Sequence, residues 1–191
     1  MSLINVNNLS FGYEGSYDNV FESVSFNIDT AWRLGFSGRN GRGKTTFLKL
    51  LMGEYEYSGK ITSSVTFEYF PYEVKNKDLN TIDVIKGDYE LWQLQCELSL
   101  LKVNEDVLYR PFKTLSSGEQ TKVLLASMFL RENNFLLIDE PTNHLDVDAK
   151  DELKRALKEY KGAVLIVCHE PDFYEGLVDK VWNLEEFSKL V

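Results

Sequence analysis

Eight consecutive residues carry the clearest chemistry in this chain: Gly38-Arg39-Asn40-Gly41-Arg42-Gly43-Lys44-Thr45. They have the form G-x-x-x-x-G-K-[ST] and lie between an apolar stretch (Trp32 to Phe36) and a helix-like one (Phe47 to Met52). That is the strand–loop–helix setting of a phosphate-binding loop. Glycines let successive main-chain N–H groups converge on an anion. The helix that follows adds the positive end of its dipole. In this reading Gly38, Asn40, Gly41 and Gly43 cradle the phosphates of a nucleotide, and Lys44 reaches the β- and γ-phosphates. The Thr45 hydroxyl holds Mg2+, and Thr46 continues the set.

A second group of polar residues stands where such a loop needs help. Phe135-Leu136-Leu137-Ile138-Asp139-Glu140 is an apolar strand ending in two carboxylates, and ligands of open α/β sheets collect at strand C-termini. Asp139 is placed to hold Mg2+, directly or through water, and Glu140 to polarise an attacking water. Alone, such a pair is as often a solvated acidic turn; the loop in the same chain decides for the site. Leu115-Ser116-Ser117-Gly118-Glu119-Gln120 precedes a helix, which Ser116 can cap, leaving N–H groups of Ser117 and Gly118 at its positive end. His169 follows the apolar run Ala163 to Val167. A lone histidine there is usually structural, yet this one shares the sheet edge with the loop and suits a γ-phosphate contact.

The elements that must position these groups alternate. Leu3 to Phe11 reads as strand, Gly12 to Asn19 as loop, and Val24, Phe26 and Ile28 as the buried face of a second strand. Trp32 to Ser37 delivers the loop, and Phe47, Leu48, Leu50 and Leu51 form the buried side of the first helix. After a turn bracketed by Gly53 and Gly59, Ile61 to Phe70 is expected as one returning strand, ended by Pro71. Apolar residues from Ile82 to Leu101 recur at helical spacing, Pro111 breaks the run, and Thr121 to Arg131 is helical again. Phe135 to Ile138 and Ala163 to Val167 are strands buried on both faces. Leu153, Ala156, Leu157 and Tyr160 stripe a helix between them, and Val178 to Leu184 adds a short last strand. The fold class is α/β, a mostly parallel sheet covered by helices with a small helical insert.

Bulk properties bound the rest. With 191 residues, 43% of them apolar, the chain has enough material for one α/β domain with a real core. No apolar run approaches a membrane span, and Met1 to Asn5 lacks the pattern of a secretory signal. Cys96 and Cys168, without metal-ligand spacing, read as reduced thiols of a cytoplasmic protein. The net charge of −9 argues against non-specific nucleic-acid binding through the overall field.

In this order, the phosphate loop, LSSGEQ, FLLIDEP, TNHLD (Thr142 to Asp146) and CHE (Cys168 to Glu170) resemble the nucleotide-binding domain of ATP-binding-cassette (ABC) proteins, over about Leu3 to Leu184. LSSGEQ matches the signature that separates these ATPases from other phosphate-loop enzymes. The string DEPTNHLD resembles the ABC-F branch, whose members carry two cassettes in one chain and no membrane domain. Within that branch, the stretch from Tyr109 to Asp146 is similar to antibiotic-resistance members, which bind the ribosomal E site and protect it from lincosamides, pleuromutilins and streptogramin A.

The resemblance implies a P-loop cassette with a parallel core sheet, an antiparallel β subdomain and a short helical subdomain. It makes 1–191 a single nucleotide-binding domain, with core about 1–72 and 133–185 and helical part about 75–132. It further implies ATP and Mg2+ as ligands, with Lys44 and Thr45 as Walker A, Asp139 as the Walker B magnesium residue and Glu140 as general base. His169 becomes the switch, Asp146 part of the D-loop, and Ser116 and Gly118 contacts to the γ-phosphate of an opposite site. An adenine-stacking aromatic is expected upstream, with Tyr13 the first choice and Tyr17 the second. Partners are then a second cassette, in the same parent chain or a second copy, and the ribosome for a full-length protein of which this chain is the first domain. The isolated domain is expected to hydrolyse ATP weakly, because half the ligands of each site come from the partner.

Three positions depart from the pattern. Ser117 stands where the signature has glycine, Tyr72 where a glutamine is expected after the strand ending at Phe70, and Glu170 where aspartate is commoner. The first two suit slow hydrolysis or a non-hydrolysing module. A transporter's energy-coupling subunit is the other reading of the same motifs.

Overall fold

The computed structural model describes residues 3–39, 41–85, 87–131, 134–143 and 145–184. The chain forms two compact units, Met1–Tyr69 with Asn134–Glu140 and Ala163–Val191, and Phe70–Asn133 with Pro141–Gly162.

The first unit holds two sheets. Strands β1 (Leu3–Phe11), β2 (Phe21–Asp29) and β4 (Ser58–Thr62) make an antiparallel sheet in the order β2-β1-β4. Strands β3 (Arg33–Ser37), β5 (Thr66–Phe70), β6 (Asn134–Asp139), β7 (Ala163–Val167) and β8 (Lys180–Asn183) make the second, in the order β5-β6-β7-β3-β8. Its β6–β7, β7–β3 and β3–β8 pairs are parallel. Burial on both faces explains the near-continuous apolar sequences of β6 and β7.

Register is what places the chemistry. Asp139 pairs with Val167, and Val167 with Phe36, so three strands reach the same row together. The residues just beyond that row are Glu140, Cys168-His169 and Ser37-Gly38. Helix α1 (Lys44–Leu51) is held beneath by Phe47, whose ring lies 5.4 Å from Phe36, 5.5 Å from Phe26 and 6.1 Å from Phe21 between centroids. Such aromatic contacts each add about 0.5–1.5 kcal/mol beyond area burial, and here they fix the helix that carries Lys44 and Thr45.

Tyr174, at the end of the short helix α6 (Pro171–Tyr174), ties β3 to β7 from below. Its hydroxyl is 2.7 Å from the Phe36 carbonyl and 2.8 Å from that of Cys168, and it accepts the Cys168 N–H at 2.6 Å. Its ring covers Gly35, where an added Cβ would come within 2.7 Å of Cδ1.

The second unit is helical: α2 (Thr81–Val84), α3 (Leu91–Leu100), two 3-10 turns (Glu105–Tyr109 and Phe112–Thr114), α4 (Ser117–Phe129) and α5 (Val147–Glu159). Helix α3 packs on α4, and Phe129 stacks on Tyr160 at 5.0 Å. Glu152 of α5 accepts from Lys122 of α4 and lies 3.0 Å from Lys102, so the buried lysine of α4 is not left uncompensated. Among the described residues no helix is long and apolar enough to cross a membrane. Cys96 is exposed and Cys168 buried, both as free thiols.

Two expectations need correction. Ile61 to Phe70 is two strands, not one: Ser63 Oγ accepts the Val65 N–H at 3.1 Å, making a local turn. The halves then join different sheets. The helical stripe from Ile82 to Leu101 is also interrupted. Helix α2 ends at Val84, Gly87 has φ +157°, and Glu90 starts α3 anew with a capping box to Gln93. Apolar spacing alone cannot see such a break, because the apolar residues keep a helical rhythm on both sides of it.

Replacing Tyr174 by Phe removes the hydroxyl that bonds the main chain of Phe36 and Cys168. We expect a loss of about 1–3 kcal/mol in urea unfolding; an unchanged midpoint would mean the hydroxyl ties nothing.

Candidate functional site

The phosphate loop leaves β3 at Ser37 and enters α1 at Lys44. Gly38, Gly41 and Gly43 all have positive φ, of 143°, 78° and 92°. Gly43 is the most constrained. A Cβ there would sit 2.5 Å from Val20 Cγ1 and 3.0 Å from Phe21 Cζ, so both conformation and space demand glycine. Lys44 is buried, and its Nζ donates to the carbonyls of Gly38 at 2.8 Å and Arg39 at 3.1 Å. The loop therefore curls around its own lysine.

A cavity of about 350 Å³ opens in front of it, lined by Tyr13, Gly41, Gly43, Lys44, Thr45, Thr46, Glu140 and His169. The structure thus brings loop, strand-end carboxylate and histidine to one place. Tyr13 is on the wall, packed edge-on to Phe11 at 5.1 Å and Tyr55 at 5.8 Å, with its hydroxyl 2.7 Å from Thr46 Oγ1. Tyr17 is fully exposed. Thr45 is exposed, with its side chain at the cavity. Asn40 lies outside the described residues, as does His144 of the TNHLD string.

Glu140 takes φ +47°, a left-handed conformation costing a non-glycine residue about 1–2 kcal/mol. Its N–H bonds the Val167 carbonyl at 2.8 Å, so the chain turns sharply at the end of β6 and aims the carboxylate into the cavity. There Glu140 Oε1 is 2.6 Å from His169 Nε2. A carboxylate only accepts, so the proton sits on Nε2. Burial, then the charge of Asp139, push Glu140 above the usual carboxylate range, against Lys44 and the His169 amide. Burial and then Lys44 push His169 below its ordinary value, against Asp139. The result is a neutral imidazole holding a carboxylate of raised basicity, the form suited to taking a proton from water.

Asp139 is buried. Tyr69 donates to its Oδ2 at 2.8 Å, and Oδ1 has no hydrogen-bond partner among the described residues. Burial first, and then Asp139, hold the Tyr69 phenol well above its usual range. A buried, unpartnered carboxylate oxygen costs free energy unless something fills it. Hard cations prefer such oxygens, so Asp139 fits Mg2+, with the Thr45 hydroxyl a second suitable ligand.

Ser116 and Gly118 belong to the other unit. Ser116 caps α4 in a reciprocal box: its Oγ accepts the Glu119 N–H at 3.2 Å, and Glu119 Oε2 accepts the Ser116 N–H at 2.7 Å. Ser117 is the first residue of that helix, a conformation open to any residue, so its departure from glycine brings no strain. Tyr72 points its hydroxyl at Ser127 Oγ, 3.1 Å away, with Arg131 over its ring. Asp146 caps α5 through the Ala149 N–H at 2.8 Å. Sequence reasoning missed Tyr69 and Tyr174, because neither stands in a motif; only the sheet brings their hydroxyls to Asp139 and to the ends of β3 and β7.

The family model described as ABC transporter matches residues 21–143. The ABC transporter ATP-binding protein YfmM of Bacillus subtilis is 38% identical, over 88% of this chain and 34% of that protein. The ABC transporter F family member 5 of Arabidopsis thaliana is 31% identical, over 97% and 28%. The ATP-binding protein Uup of Buchnera aphidicola is 33% identical, over 94% and 32%. The chain therefore spans about a third of the length of these relatives. The solved structure of an ATP-binding protein of Pyrococcus furiosus shares the fold, with a TM-score of 0.81 at 24% identity over 98% of this chain and 100% of that one. A bacterial ABC transporter cassette solved as a dimer gives 0.74 at 17% identity, over 90% of each chain.

Removing the Lys44 cation should relieve the pressure against protonating His169. In a Lys44→Met variant the His169 titration, followed by NMR of the imidazole, is expected to move up toward the ordinary value of about 6.5. A midpoint that stays or falls would show that the lysine charge does not reach the histidine.

Proposed function

We propose, from the premise that this chain belongs to the ABC transporter family, that it is an ATP-binding and ATP-hydrolysing cassette of the ABC-F branch. The observation that carries the reading is the single cavity joining the phosphate loop to Glu140 and His169. The Asp139 oxygen that has no hydrogen-bond partner among the described residues adds to it. Main-chain N–H groups at the start of α1 and the Lys44 ammonium bind the phosphates. Asp139 and Thr45 would hold Mg2+, which would supply charge neutralisation at the phosphates. Glu140 takes the proton of the attacking water, and His169 orients Glu140 through Nε2. Tyr13 offers its ring to the base.

Gly118 supports a second cassette as partner. It is helical, and a Cβ there would meet only Leu145 Cδ2, at an ordinary 3.5 Å. Neither conformation nor crowding within the described residues asks for glycine, although alanine would suit the helix better by about 1 kcal/mol. Bare main chain at a helix start serves an anion arriving from outside. With Ser116 it completes the site of an opposing cassette, and the isolated chain, having half of each site, turns over slowly.

The DEPTNHLD string, together with relatives named as F family members, supports ribosome binding by the full-length protein, with ATP stabilising its bound form. The similarity of Tyr109 to Asp146 to resistance members extends the proposal to protection of the E site from lincosamide, pleuromutilin and streptogramin A drugs, in the cytoplasm. The second reading, an ATPase subunit of a membrane transporter, draws on the name of the Bacillus relative.

Glu140→Gln should bind Mg-ATP like the wild type in calorimetry but release phosphate at least about a hundredfold more slowly. A Gln variant that keeps the wild-type rate would remove Glu140 from the reaction. In the full-length protein with ATP, the same substitution is expected to give sedimentation with ribosomes; recovery free of them favours the transporter reading.

A further inference from the structure

Tyr69 donates a hydrogen bond to one oxygen of Asp139. It stands on β5, beside β6, and its hydroxyl is 2.8 Å from Asp139 Oδ2. Because an ionised carboxylate has no proton to give, the phenol donates. Asp139 is buried, and Oδ1 has no hydrogen-bond partner among the described residues. A carboxylate held by a donor at one oxygen cannot turn freely about its Cβ–Cγ bond. Two residues earlier on the same strand, Phe67 packs edge-on to Phe135 of β6 at 6.0 Å, so the strand carrying the donor is itself anchored to the strand carrying the acceptor.

We propose that Tyr69 is a positioning residue of the metal site: its hydroxyl engages Oδ2 and presents Oδ1 as the acceptor for the cation. The inference rests on the nucleotide reading above, which makes Asp139 a magnesium ligand. A bond that only offset the burial of Asp139 would, when removed, lower stability and leave metal affinity alone. A positioning bond acts on the metal as well. Hydrogen-bond partners of metal ligands typically account for 10–100-fold in affinity, so the two roles are separable by measurement.

The test uses Mn2+ as the probe and the whole chain with a non-hydrolysable ATP analogue. Mn2+ affinity of the ternary complex is read by electron paramagnetic resonance, and analogue binding in EDTA is read in parallel. Tyr69→Phe is expected to bind the analogue in EDTA like the wild type while holding Mn2+ about tenfold more weakly. Phe67→Leu loosens the same strand without touching Asp139, and should keep wild-type Mn2+ affinity even where its melting temperature falls. The proposal is overturned if Tyr69→Phe stays within roughly twofold of wild type, or if Phe67→Leu weakens Mn2+ as much. Should the wild type fail to bind the analogue at all, the nucleotide reading fails and Tyr69 loses its role with it. Should the analogue bind and only the Tyr69 effect be missing, the nucleotide reading stands without this refinement.

Discussion

The parallel register of three strands is the constraint on which the site depends. Phe36, Val167 and Asp139 end in one row because β3, β7 and β6 are paired in step. In a strand, side chains alternate between faces, so a slip of one residue would turn Asp139 away and send Glu140 to the wrong side. Main-chain bonds set that step, and it is reinforced where they end. Glu140 N–H to Val167 O locks β6 to β7, and the Tyr174 hydroxyl locks β7 to β3. The active groups have little freedom of their own; they inherit position from the sheet edge.

Two kinds of departure from plain folding preference gather at that edge. The loop glycines hold positive φ, and Glu140 takes a left-handed conformation without being glycine. Asp139 keeps an oxygen without a partner among the described residues. Each costs stability on its own. Strain and unsatisfied polarity gathered at one sheet edge are what a site built for an outside ligand looks like, since a binding partner offsets both.

Much of this was legible in the sequence, for identifiable reasons. The phosphate loop is a contiguous string whose residues must be neighbours, so spacing alone exposes it. The strands β6 and β7 are short apolar runs bounded by turn residues, and burial on both faces leaves no competing pattern. The division of Ile61 to Phe70 was hidden because a Ser63 turn breaks the strand without glycine or proline. The interruption near Gly87 was hidden because α2 and α3 keep the same apolar spacing. Tyr69 and Tyr174 were invisible for a deeper reason: their hydroxyls act on residues 70 and 138 positions away, and nothing local marks a tyrosine for such work. The signature helix shows the converse. Ser117 looked like a defect in the string, yet the first turn of α4 accepts it without strain.

Lys44 offers a last consequence. Its ammonium rests on two carbonyls of its own loop, so the cation is already held at the loop. An incoming anion has to displace oxygens from the cation, but need not recruit a floppy tail from solvent. Little chain order remains to be created at that moment. Capture at the loop should therefore look like an exchange of partners, with a small entropic signature and a dependence on salt, rather than like the folding of a segment around its guest.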